Sequence, residues 1–149
     1  MRLTHDFRWI FGFTFIFFFS FSCYGDSPDV AKGPWYRYEP AVVNLAGVLV
    51  EKTVYGPPGY GETPEKDKKI NIIFFELANP INLKADPADL RDMDDRTGVT
   101  EIQIDTSDSK ASLKKFLNQK VTLRGILYEA TSGNEFTSVL MLVLKAFRS

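Results

Sequence analysis

Few side chains in this sequence could run covalent chemistry. The single histidine is His5 and the single cysteine is Cys23. Both sit at or before the end of an apolar N-terminal stretch, and the rest of the chain carries neither residue type. A Ser-His-Asp triad, a Cys-His pair and a His/Cys zinc site are therefore excluded from it. What remains is a carboxylate pair, a Ser-Lys arrangement or an oxygen-ligand metal site. Glu51 and Glu129 are the tempting carboxylates, because they hold equivalent places in two similar segments, VNLAGVLVEK at 43–52 and VTLRGILYEA at 121–130. If those segments run antiparallel, the two groups lie at opposite ends, outside the roughly 5–10 Å that a glycosidase pair requires. The acidic run Asp86, Asp89, Asp92, Asp94 and Asp95 lacks the D-x-D-x-D-G spacing and the closing bidentate glutamate of a calcium loop, and reads as a solvated acidic loop. The expectation is a protein without catalytic residues, cofactor or metal, with a carboxylate-based hydrolase as the least favoured reading.

The elements that would position anything else are mostly strands. Each of the two similar segments is an apolar alternation with a central glycine, Gly47 or Gly125. Glycine inside a strand marks a bulge, a bend or a close backbone approach, which a small closed barrel needs at its corners. Strands are expected at 42–54, 70–77, 99–105, 121–130 and 138–147. Residues 35–39, WYRYE, form a short extended segment laid onto them. On the first strand Val43, Leu45 and Leu49 face one way and Val42, Ala46, Val48 and Val50 the other, so both faces read as covered for part of its length. Asn79-Pro80 reads as the end of the second strand, and residues 89–93 as a single helical turn. On the third, Ile102 and Ile104 face a core while Glu101, Gln103 and Asp105 face out. Ser107 or Asp108 can cap a short amphipathic helix across 107–118, whose apolar stripe is Leu113, Phe116 and Leu117.

Strand, strand, strand, helix, strand, strand is the order of the OB-fold. The fold class expected is mainly β: a small five-stranded OB-like barrel with one short helix between strands three and four. A sandwich or a split α+β sheet is the alternative. OB-folds bind through strands two and three and the loops joining strands one–two and four–five. Here those loops are the Gly/Pro-rich 55–69, YGPPGYGETPEKDKK, and 131–137, TSGNEFT. Tyr55, Tyr60, Glu101, Gln103 and Phe136 are thus the candidate ligand-binding residues, with the aromatic rings stacking on a sugar, peptide or base.

Residues 1–22 read as a secretory signal peptide: Arg2 and Arg8, an apolar run over 9–21, then small residues before Cys23. The apolar run is short for a spanning helix. Cys23, with Ser22 before it, resembles a degenerate lipobox and is the candidate lipidation site. Residues 23–34 would be a tether and 35–149 the folded domain. The chain is thereby expected in the periplasm or cell envelope, exported and either free or lipid-anchored. Its formal net charge is −1, and losing Arg2, Arg8 and Asp6 with the leader takes it to −2. That balance lacks the basic footprint of a nucleic-acid binder. The expected role is a non-catalytic binding module for a small ligand, glycan or peptide; the alternative is a structural envelope protein that binds another protein.

Several short stretches carry a resemblance: Tyr38-Glu39-Pro40 leading into Val43-x-Leu45-x-Gly47-x-Leu49; Gly56-Pro57-Pro58 with Tyr60; Asn79-Pro80-Ile81; Ile102-Gln103; and Val121-x-Leu123-x-Gly125-x-Leu127 running to Gly133, Thr137, Val139 and Leu140. In these the chain resembles the small secreted bacterial proteins called domain of unknown function 4431, across nearly everything after the tether. The resemblance implies export and a shared fold; it supplies no activity. Such proteins tend to carry a histidine-rich turn between the last two strands and a cysteine after the Pro-Ile pair. This chain has no histidine in that turn and has Asn82 or Leu83 at the cysteine position, so no metal site or disulfide carries over.

Overall fold

The computed structural model describes residues 33–88, 94–106, 110–132 and 135–148. The leader, Cys23, most of the tether, the turn expected at 89–93, the caps Ser107 and Asp108, and Gly133 lie outside the described residues. The described chain is mainly β, a single sheet of six strands. These are β1 (Trp35–Arg37), β2 (Val42–Tyr55), β3 (Lys69–Lys84), β4 (Arg96–Asp105), β5 (Lys120–Glu129) and β6 (Val139–Arg148). Their order is β1-β3-β2-β5-β6-β4, and β3 also pairs with β4. The pairs β2–β3, β2–β5, β3–β4 and β5–β6 are antiparallel; β4–β6 and β1–β3 are parallel. The sixth strand is the aromatic segment 35–37, which pairs with residues 82–84.

Alternation along the strands places one apolar set inside. Val43, Leu45 and Leu49 of β2, Ile73 and Phe75 of β3, Ile102 and Ile104 of β4, Val121, Leu123 and Leu127 of β5, and Val139 and Met141 of β6 form the core, joined by Tyr38, Ile81, Leu83 and Leu113. Period-two burial of this kind fixes register, since a one-residue slip would turn each strand inside out. The two similar segments pair with each other, Val43 opposite Gly125 and Gly47 opposite Val121.

Four expectations are corrected. Val42 and Ala46 are exposed and Val48 and Val50 half-buried, so the second face of β2 is not covered; β-branched residues favour a pleated strand whether or not that face is packed. Asn79-Pro80 does not end β3, which runs on to Lys84. The ladder to β4 is irregular between Glu76 and Ile81, and the ladder to β2 stops at Leu77. Pro80, which has no N–H to give, thus falls where no ladder bond is demanded. The expected helix shrinks to α1 (Lys110–Leu113) and a 3-10 turn, Lys114–Phe116. Leu117 then turns extended and bridges to Leu49, and the Asn118 N–H donates to the Leu49 carbonyl at 2.7 Å. Capture by the edge of β2 stops helix growth after two turns. The strand count, finally, is six rather than five.

Candidate functional site

The loop from 56 to 68 is tied at its base by the Gly56 N–H to the Lys68 carbonyl, 2.7 Å, and the Lys68 N–H to the Pro57 carbonyl, 3.0 Å. Inside it Asp67 is buried, and its two carboxylate oxygens accept from the Gly59 and Gly61 N–H groups, each at 2.7 Å. Those amides flank Tyr60. Tyr60 has φ 50, and Gly61 has φ 103. A bulky residue in the left-handed region is strained and persists only where its surroundings hold it. Asp67 supplies that hold, with charge-assisted bonds on either side of the strained residue. A Cβ on Gly59 would stand 2.9 Å from Thr63 Oγ1 and 3.0 Å from Asp67 Oδ1, so the clamp also needs glycine there.

The turn between β5 and β6 is tied to β4 through Gln103. The Phe136 N–H donates to Gln103 Oε1 at 2.8 Å, and the Gln103 N–H donates to Thr137 Oγ1 at 2.9 Å. The Thr137 hydroxyl donates in turn to the Val139 carbonyl, 2.6 Å. The two loops bring Tyr60 and Phe136 together, with ring centroids 6.4 Å apart and planes at 46°.

Beside these loops lies the outward face of β2, β3 and β4. Phe75 points into the core, so Phe74 points out, yet it is only 3% exposed. Lys52 Nζ stands 5.2 Å from the Phe74 ring centroid. The same ammonium bonds Glu101 and lies 3.0 Å from Glu76. Those bonds, Glu101 first, raise the lysine pKa above its ordinary value.

Of the five residues expected at the site, Tyr60, Phe136 and Gln103 are linked by direct contacts through the turn. Glu101 belongs to the ion network with Lys52. Tyr55 stands at the end of β2, 37% exposed, with Lys69 Nζ 5.9 Å from its ring centroid, outside the ring pair. Gln103 is a positioning residue here, since its amide oxygen is engaged by the Phe136 backbone. The outward acids are not a bare acidic face either: Asp105 accepts from the Tyr128 hydroxyl at 2.9 Å. Burial, and then that bond, push the Tyr128 hydroxyl pKa up.

Sequence reasoning missed Asp67, Lys52 and Phe74. It also missed a cluster at another end of the sheet. There Arg96 Nη2 reaches Glu129 at 2.5 Å and Asp94 at 3.8 Å, and the Tyr38 hydroxyl donates to the Asp94 carbonyl at 3.3 Å. Burial and the charge of Glu129 push the Tyr38 hydroxyl up to about 12. Glu129 is thus an ion-pair partner, and Glu51 lies on β2 opposite Ile73, beyond the stretch that pairs with β5. In the acidic loop, Asp95 bonds Lys84 at 2.5 Å and the Ala85 N–H at 2.9 Å, and Asp86 accepts from the Ala88 N–H at 3.0 Å; Asp89 and Asp92 lie outside the described residues. A cleft of about 780 Å³ between Gly33, Pro34 and Tyr36, residues 44–46 and 77–81, and Gly98 and Thr100 had no sequence signal.

No protein-family model, curated protein or solved structure matches the chain.

Proposed function

We propose that this chain is an exported, non-catalytic binding module with an OB-like barrel, and that it holds a glycan or similar small ligand against Tyr60 and Phe136. The pairings favour closure: β3–β2, β2–β5, β5–β6, β6–β4 and β4–β3 make a ring of five strands, with β1 added alongside β3. In that topology β2 is the first OB strand, and the loops carrying Tyr60 and Phe136 are the two that frame an OB binding face.

One observation carries the reading. Tyr60 is held in a left-handed conformation by a buried carboxylate, within the 56–68 loop, with its ring beside Phe136. Backbone strain concentrates at sites of function, because a merely structural loop would relax it. Two tilted rings offer an apolar platform for a sugar face, and Lys52, Glu76 and Glu101 offer donors and acceptors to hydroxyl groups alongside. The ion-paired acids and the mature charge of −2 disfavour a phosphodiester backbone as the ligand. Export rests on the leader, and anchoring on Cys23.

A glycan array probed with the purified protein tests the proposal. We expect selective retention of a carbohydrate class, lost at least tenfold in the Phe136→Ala and Tyr60→Ala variants. Binding that survives both substitutions, or no binding to any glycan, refutes it. The protein-partner alternative draws on Val42, Leu144 and Phe147, which are 45%, 53% and 40% exposed on β2 and β6. It predicts association that these residues govern and the loop rings do not.

A further inference from the structure

β2 has neighbours on both edges only in part. Residues 47–55 pair with β3, while residues 42–46 pair, among the described strands, with β5 alone. In an antiparallel ladder alternate residues turn their N–H and C=O groups to opposite edges. The stretch 42–46 therefore turns part of its backbone away from β5, towards a place where no described strand pairs with it. β3 has left that place after Leu77, and β1 pairs further along, with residues 82–84.

The cleft of about 780 Å³ occupies this interruption of the sheet. Leu45 and Ile81, each 3% exposed, are its apolar floor, and Tyr36 and Leu77 are half-buried beside them. Asn44 and Asn79 line it from exposed positions, and neither side-chain amide has a hydrogen-bond partner among the described residues. Among the described residues no charged side chain lines it.

We propose that this cleft binds an uncharged, extended peptide, which adds as a strand along residues 42–46 of β2. The unpaired backbone is the recognition chemistry: an edge of N–H and C=O groups is matched in register by another backbone. Alternate side chains of the guest then fall on the Leu45–Ile81 floor, while its polar groups meet Asn44 and Asn79. A charged side chain brought into this lining would lose its hydration without an ionic partner, which sets the preference for neutral sequences. The proposal is independent of the loop site, which lies on other residues.

The test begins with a phage-displayed random heptapeptide library panned against the purified protein. An enriched sequence, acetylated and amidated, is then titrated while backbone amides are followed by NMR shifts and hydrogen exchange. We expect enriched sequences to be uncharged with apolar residues at alternate positions. Binding should slow exchange at alternate amides within 42–46 by tenfold or more. Ala46→Trp and Ala78→Trp, which crowd the cleft from exposed positions on opposite walls, should each weaken binding at least tenfold; Leu144→Ala should not. The proposal is overturned if no such sequence is enriched, if both tryptophan variants bind like the wild type, or if the shifts fall on the 56–68 and 131–137 loops. It is also overturned if binding leaves exchange at 42–46 unchanged. Slow exchange in the free protein at those amides of 42–46 that turn away from β5, at all concentrations or only at high ones, means the edge is already covered by the chain's own residues before Gly33 or by a second copy, and sinks it equally.

Discussion

Replacing Gly125 by alanine puts one methyl group where two strands meet. Gly125 lies in β5 between Val43 of β2 and Val143 of β6, next to an irregularity in the β5–β6 ladder. A Cβ built there stands 2.4 Å from the Leu142 carbonyl oxygen and 2.7 Å from Met141 Cε. The methionine tip can swing aside. The carbonyl belongs to the backbone of β6 and moves only with its strand. Gly47 repeats the arrangement, 2.2 Å from the Glu76 carbonyl oxygen and 2.9 Å from the Phe75 ring. Overpacking of this kind costs about 1–3 kcal/mol, and a strained or broken ladder bond adds about 1 kcal/mol. The narrower unfolded ensemble of alanine returns about 0.4–1 kcal/mol. The net is a loss of roughly 1–3.5 kcal/mol, which for a domain of this size lowers Tm by about 4–14 °C. Gly125→Val should cost more. Differential scanning calorimetry measures both, with Gly61→Ala as a comparison, because its Cβ would meet nothing closer than 3.9 Å and only its φ of 103 opposes it. A Gly125→Ala protein that melts within a degree of the wild type refutes the account of these glycines as points of close strand approach.

Three further outcomes are expected. Asp67→Ala removes both bonds that pin Tyr60, each worth about 1.5–3 kcal/mol at most for a charged acceptor; it should abolish glycan retention and speed amide exchange at 59–61 while the core strands keep their protection, and unchanged exchange there would reject the clamp. Stability should fall as pH rises above about 10: the Tyr38 pKa is raised to about 12 and those of Tyr128 and Lys52 are raised too, so their contributions are complete below the unfolded values and are lost on the way up through the folded ones; denaturant midpoints that stay flat from pH 9 to 11.5 would contradict this, and Tyr38→Phe should flatten the curve in part. Protein recovered from an exporting bacterial host should have an intact mass without residues 1–22, and Cys23→Ala should move it from the membrane fraction to the soluble one; a mass that includes the leader rejects cleavage, and unchanged partitioning rejects lipidation.

What could be read from the sequence was whatever one buried face controls. Val121, Leu123 and Leu127 alternate because each must enter the core, and Ile102 and Ile104 likewise, so β5 and β4 came out within a few residues of their ends. The central glycines were legible for the same reason, since a residue without Cβ inside an apolar strand needs a close neighbour to explain it. Legibility failed where local residue type and burial part company. The valines on the outer face of β2 have the same strand propensity as the buried ones, and only the absence of a covering layer distinguishes them. Asn79-Pro80 carries the local signature of a strand end, but the ladder to β4 is interrupted between Glu76 and Ile81, so the proline meets no ladder bond to break.

The binding features divide along the same line. Tyr60 and Phe136 could be named from their loops, because aromatics in Gly-containing turns stand out by type. Asp67 could not, since it acquires its role only when residues 59–61 fold back over it, and an aspartate in EKDKK looks like any solvated charge. The cleft was the hardest to foresee. It is made by pairing that does not happen: β3 leaves β2 at Leu77, β1 joins β3 only at Asn82, and residues 42–46 are left with one neighbour among the described strands. No residue type encodes a missing neighbour. An unpaired strand edge is a property of where three strands part, so it is written in the register of the whole sheet, whereas the aromatic pair is written largely in two residues.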